Sequence, residues 1–237
     1  MMAAGRQRLD RFIAQRLNTG RSDTRVLLAQ KRLLVDGQPA SSVDQIIDHF
    51  SFIQLDGKTL QQNTAQYIML NKPCGVVSAT NDEKHQTIID LLDTPDKHHL
   101  HIVGRLDFNS TGLLLLTNDS RWSEQLMHPD HKVKKHYIVT VDKPITDEMI
   151  TAFDSGIYLA YEGITTQKAM LKKLAEDKAE VILTEGKYHQ IKRMLGHFDC
   201  EVLTLHRTRI GQLTLDTKLE RGQYRALTMQ EVKTINA

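Results

Sequence analysis

Between residues 8 and 17 the chain reads RLDRFIAQRL. Leu9, Phe12, Ile13 and Leu17 fall at i, i+3, i+4 and i+8, which predicts a helix with one apolar stripe. Arg8, Arg11 and Arg16 lie off that stripe. RSDTRVLLAQKRLL (21–34) predicts a second helix, with Ser22 or Asp23 as its N-cap. LLVDGQPA and SFIQLDGK then read as short strands carrying Asp-Gly turns at 36–37 and 56–57. The pattern is that of a small α+β module over residues 1–62, helix–helix–strand–strand. The polar QQNTAQ (61–66) serves as a linker to a second domain, 63–237.

In the second domain YIMLN (67–71), GLLLLT (112–117), HYIVTV (136–141), AEVILTE (179–185) and EVLTLH (201–206) predict strands, by length and β-branched content. TIIDLL (87–92), SEQLM (123–127), TDEMITAFDSG (146–156) and KYHQIKRMLGHF (187–198) predict helices. Thr146 is placed to cap the third of these, and Gly156 to stop it. The strands arrive without regular βαβ alternation. The fold class expected is therefore α+β, with a mixed, mainly antiparallel sheet and flanking helices.

Composition narrows the partners. The chain has 237 residues, 40% hydrophobic and 25% charged, as in ordinary soluble domains. No run of about 18 apolar residues predicts a membrane span, and MMAAGRQRLDRF lacks the apolar core of a signal peptide. Cys74 and Cys200 are too few for a disulfide framework and read as free thiols in a reducing cytoplasm. Net charge is only +2, but residues 1–32 hold eight Lys/Arg against two Asp/Glu. A local excess of +6 points to a polyanion, most simply nucleic acid.

The candidate chemistry centres on GRLDFNSTGLLLLTND (104–119). Four leucines, Leu113 to Leu116, must be buried, and a charged Arg105–Leu106–Asp107 trio stands just before them. Two readings are open: a local Arg105–Asp107 ion pair, or a carboxylate held for chemistry. Gly104 and Gly112 allow a tight turn and a close backbone approach. The short side chains of Asn109, Ser110 and Thr111 could fix the loop between them. In KYHQIKRMLGHF, a projection at about 100° per residue puts Tyr188, Ile191, Leu195 and Phe198 on the apolar face. Lys192 falls about 40° from Tyr188, at the margin of that face, and Arg193 on the wet side. Tyr137 opens a strand after the basic run HKVKK, either as packing or as a platform for a base. The histidines of KHHLH (97–101) lack a supporting carboxylate or thiolate at ligand spacing, so no metal is expected. Phosphate loop, paired CxxC and GxSxG elbow are all missing, which argues against a kinase, a zinc enzyme or an α/β-hydrolase.

Together these segments resemble a known family. RLDRFIAQRLNTGRSDTRVLLAQKRLLVDGQPA is similar to the S4-type RNA-binding domain. LNKPCGVVSAT, VGRLDFNSTGLLLLTNDSRWSEQLMHP, KKHYIVTV and EGKYHQIKRM, in that order, resemble the pseudouridine synthases that modify ribosomal RNA, the small-subunit (16S) branch most closely in layout. Ser110 stands where that family most often has threonine, and Ser120 where glycine is usual. The resemblance implies an S4-like module followed by a pseudouridine synthase domain that isomerises uridine without a cofactor. It implies Asp107 as the essential aspartate, acting as nucleophile or as base, with Lys192 as its basic partner and Tyr137 beside the target uracil. Arg105 supports the site. Lys72, His189, Gln190 and Arg193 are expected on phosphates or base edges. Arg8, Arg11, Arg21, Arg25, Lys31 and Arg32 of the first module are expected to grip phosphates. The expected partner is ribosomal RNA, with no membrane, and the expected state is a cytoplasmic monomer. Large-subunit rRNA as target, or a non-catalytic rRNA-binding assembly factor, are the alternatives.

Overall fold

The computed structural model describes residues 6–160 and 163–235. Its contacts divide the chain into two compact units, with the main boundary between Ala65 and Gln66, inside the polar QQNTAQ stretch, and with Asp119–Arg121 grouped with the first unit.

In the first unit the helix Leu9–Leu17 buries Leu9 and Ile13, with Phe12 and Leu17 packed at the margin, as its stripe predicts. The second helix is shorter than its periodicity suggests. It runs Arg21–Ala29 from an N-cap at Gly20, and Asp23 sits three residues inside, accepting the Gly20 N–H at 3.1 Å. Lys31 takes a positive φ of 55° and Leu33–Val35 continues as a strand, pairing with Ile53–Leu55. Both Asp-Gly turns form with positive φ at each residue, the geometry that matches strand twist in tight hairpins. The strands Gln38–Pro39, Leu33–Val35, Ile53–Leu55 and Lys58–Gln61 make one four-stranded sheet in that order.

The second unit is built on a nine-stranded sheet. Its main path runs Met170–Ala175, Lys178–Leu183, Lys135–Val141, Val202–Ile210, Thr111–Thr117, Tyr67–Lys72, Tyr224–Ala226. Adjacent strands are antiparallel except at one place, where His206 and Arg207 run parallel to Thr111 and Gly112. Further along, the same strand pairs with His101–Val103 instead. The loop 104–110 leaves the sheet between these two partners. Layers cover both faces of the sheet. Leu114 and Leu116 join the core with Tyr137, Val139, Phe153 and Ile191, while Leu113 and Leu115 join a second core with Trp122 and Ile210. All four leucines are fully buried, which explains their unbroken run. The fold is α+β, with the mixed, mainly antiparallel sheet expected.

Two expectations fail locally, and one strand had no expectation at all. TIIDLL is not a helix: Asp90 accepts the Thr87 N–H and hydroxyl, both at 2.8 Å, and closes a turn. A six-residue apolar run is too short to hold a helix against such a local competitor. The helix over 187–198 is only Gln190–Gly196, because His189 adopts a left-handed conformation at its start. Met170–Ala175, whose MLKKLA carries no strand pattern, is an edge strand made by its hairpin with Lys178–Leu183.

Candidate active site

The Asp107 loop is held by its backbone. Arg207, only 2% exposed, donates from Nε to the Leu113 carbonyl at 2.7 Å and from Nη2 to that of Gly104 at 2.8 Å. Its Nη1 lies 3.5 Å from the Arg105 carbonyl and 3.4 Å from the Tyr137 hydroxyl. Ser78 donates its hydroxyl to the Leu106 carbonyl at 2.6 Å and accepts the Leu106 N–H. Lys72, fully buried, donates to the carbonyls of Pro73, Phe108 and Ser110 at 3.0, 3.2 and 2.9 Å. The Ser110 N–H bonds the Asp107 carbonyl itself. Two buried cations and one hydroxyl therefore grip the loop on both sides of Asp107. Of the short side chains of 109–111, that of Asn109 adds a contact within the loop region, accepting from the Cys74 thiol at 3.9 Å. Ser110 Oγ is buried without a partner among the described residues, and Thr111 Oγ1 turns to His206 Nδ1 at 2.8 Å.

So placed, the Asp107 side chain remains 28% exposed. Lys192 Nζ lies 3.6 Å from Oδ2 and His189 Nε2 lies 3.4 Å from Oδ1. The ion pair with Arg105 does not form. Arg105 is exposed and borders the cleft, while its backbone is what Arg207 holds. Tyr137, Leu183, Ile191 and Leu205 give the cleft apolar walls around Asp107. Tyr137 is 8% exposed, and the Arg207 guanidinium sits 5.9 Å from its ring centre.

Burial sets the electrostatics behind the loop. It pushes the Lys72 ammonium down to about 8, against the upward pull of Cys74 and Asp107. Three carbonyl acceptors and no carboxylate partner are a demanding setting for a charged amine. The same burial lowers His206 and Lys135.

Several expected contacts are corrected. Lys72 cannot reach a phosphate, because its whole side chain is enclosed and its three donors are engaged. Gln190 is also buried: its amide donates to Glu185 at 2.6 Å and its carbonyl accepts the Lys187 N–H. Tyr188 is not on the apolar face. The helix starts after it, and the residue is 74% exposed. Arg193 is half-buried and bonds the Tyr188 carbonyl. His189 faces the Asp107 carboxylate. Arg207 and Ser78 escaped the sequence reading, since nothing in EVLTLHRTRI or GVVSAT marks which face they take. Among the described residues no three metal-binding side chains cluster, and His101 contacts Ser123 Oγ at 2.8 Å.

In the first unit Arg8, Arg11 and Arg21 border one depression together with Arg6. Arg8 also pairs with Asp10 at 2.8 Å. Arg25 and Lys31 are exposed elsewhere on that unit, and Arg32 is forked onto Asp56.

A carboxylate on a backbone-clamped loop, beside a buried tyrosine and a lysine, agrees with what the chain matches as a whole. Residues 66–197 match the RNA pseudouridylate synthase family, and the chain belongs to it: the protein is a pseudouridine synthase. It is 42% identical to the ribosomal small subunit pseudouridine synthase A of Pseudomonas aeruginosa, over 96% of this chain and 100% of the relative. To the protein of the same name in Escherichia coli it is 38% identical, over 96% of this chain and 99% of the relative. A crystal structure of a pseudouridylate synthase is similar with a TM-score of 0.71 at 36% identity, covering 97% of this chain and 99% of that one.

Proposed function

We propose that Asp107 is the catalytic carboxylate and that the substrate is a uridine in small-subunit ribosomal RNA. One observation carries the first part: Asp107 is the one acidic side chain among the described residues lining the cleft. The near-complete match to small-subunit synthases of two bacteria supports the second.

Isomerisation breaks the bond from uracil N1 to ribose C1′, remakes it from C5, and releases the C5 proton. Nothing is oxidised and no group is imported, so the chemistry calls for no cofactor. The base must first leave its stack, at a cost of a few kcal/mol. The uracil enters beside Tyr137 and the aliphatic walls. Asp107 then works at C1′, where positive charge develops as the N1 bond breaks. Lys192 and His189 hold the carboxylate from its two oxygens. Because the loop is gripped through its carbonyls, the carboxylate does not have to be ordered during the reaction. The first unit acts as an S4-type RNA-binding domain, with Arg6, Arg8, Arg11 and Arg21 on phosphates. The same reading extends to a cytoplasmic monomer acting on a uridine-516-type position, which is what the resemblance to the small-subunit branch implies and what the mapping below tests.

Release of tritium from RNA labelled at uridine C5 tests Asp107. Asp107→Asn should lower the rate by about a thousandfold or more while the melting temperature stays near wild type. A variant that works at the wild-type rate removes Asp107 from the mechanism. Mapping pseudouridine in cells lacking the gene tests the target. Loss confined to large-subunit RNA would move the substrate there, and RNA binding without tritium release would make the chain an assembly factor.

A further inference from the structure

Among the described residues Tyr188 is the most exposed of the large apolar side chains, at 74%. It is nonetheless fixed. Its ring stacks on His189, with centroids 3.9 Å apart and planes 18° from parallel. His189 in turn sits 3.4 Å from the Asp107 carboxylate. The Tyr188 carbonyl is tied to Arg193 Nη1 at 3.3 Å, and the next turn is closed by Gln190 on the Lys187 N–H at 3.0 Å. The left-handed His189, φ 49°, turns the chain so that Tyr188 stays off the helix that follows. Phe108 is the other large aromatic exposed next to Asp107, and its ring is already met edge-on by His85 at 5.1 Å. The open face of Tyr188 has no such neighbour among the described aromatic contacts.

We propose that Tyr188, backed by His189, is a stacking platform for a nucleobase that flanks the target uridine. A base leaving its stack exposes the faces of its neighbours, and an aromatic ring stacked on a histidine of the cleft wall can cover one of them. Stacking is tolerant of base identity, so the platform secures the RNA strand in its opened form without reading its sequence. Because the platform touches a neighbour and not the reacting uracil, it contributes to binding and leaves the chemical step to the cleft.

Steady-state kinetics on the full-length protein separates these roles. Tyr188→Ala should raise KM by about tenfold, with kcat within about twofold of wild type. Tyr188→Phe and Tyr188→Trp should restore KM, whereas Tyr188→Leu should not, since apolar area alone is insufficient. RNA carrying 2-aminopurine beside the target uridine should be quenched on binding to wild type and not on binding to Tyr188→Ala. An unchanged KM in Tyr188→Ala overturns the proposal. So does a loss of kcat alone, which would make Tyr188 a support for His189, or a Leu variant as good as Phe.

Discussion

At the residue scale, the unexpected finding is that the buried cations behind Asp107 serve backbone carbonyls. Lys72 has three acceptors for three N–H bonds. Its ammonium is pushed down from 10.5 to about 8 by burial. Between those two values the unfolded chain still holds the proton that the folded protein has released, so this group makes stability rise with pH across the window. Activity should run the other way. A neutral amine keeps two N–H bonds, one carbonyl of the loop loses its donor, and Asp107 loses part of its anchorage. At saturating RNA, kcat should fall above about pH 8, and Lys72→Met should show a lower, flatter profile without that limb. Identical profiles for the two proteins would mean that Lys72 does not hold the loop. Asp107 stood out in a compact motif, whereas Lys192 was placed beside it by the family resemblance: the helical projection counted from Tyr188, which lies off the helix. Lys72 and Arg207 were visible only as cations among strand residues. Apart from Pro73, their carbonyl partners lie 36 to 103 positions away, which no local pattern encodes.

At the element scale, the run Thr111–Thr117 is the hub. One edge pairs with Tyr67–Lys72 along its length, and the other passes from Val202–Ile210 to His101–Val103. The hand-over depends on Gly112. Its φ is +103°, and a Cβ there would lie 2.3 Å from the Arg207 carbonyl oxygen and 2.8 Å from its nitrogen. Gly112→Ala must push the two parallel segments apart, and Arg207 moves with them. We expect a loss of about 3 kcal/mol or more, read as a lower melting temperature, with kcat reduced even at temperatures where the variant is folded. A variant as stable and active as wild type would show that the strands can separate without disturbing the loop. Elements with strong local signals were legible: the first helix, the Asp-Gly hairpins, the leucine strand and the Thr146-capped helix. Those set by partners were not. The strand Met170–Ala175 exists because a hairpin returns beside it, and 87–92 is a turn because Asp90 intercepts the backbone.

At the scale of the whole molecule, charge and chemistry are divided between the two units. The excess of +6 in residues 1–32 contrasts with a catalytic part that is close to neutral. Sequence alone could count those cations but could not sort them. In the folded unit Arg32 is engaged by Asp56 away from the depression, whereas Arg11 and Arg21 join Arg6 and the Asp10-paired Arg8 around it. If these four grip phosphates as proposed, each contact releases counterions, and log K should fall with log salt by about 0.7 to 0.9 per phosphate. Arg11→Gln with Arg21→Gln should therefore reduce the slope by about 1.5 and weaken binding most at low salt. Arg32→Gln, which removes a cation already paired, should change the slope much less. At saturating RNA the kcat of the double variant should match wild type, because neither arginine borders the cleft that holds Asp107. A slope unchanged by the double substitution would take phosphate binding away from this depression, and a reduced kcat at saturation would give the first unit a part in the chemical step.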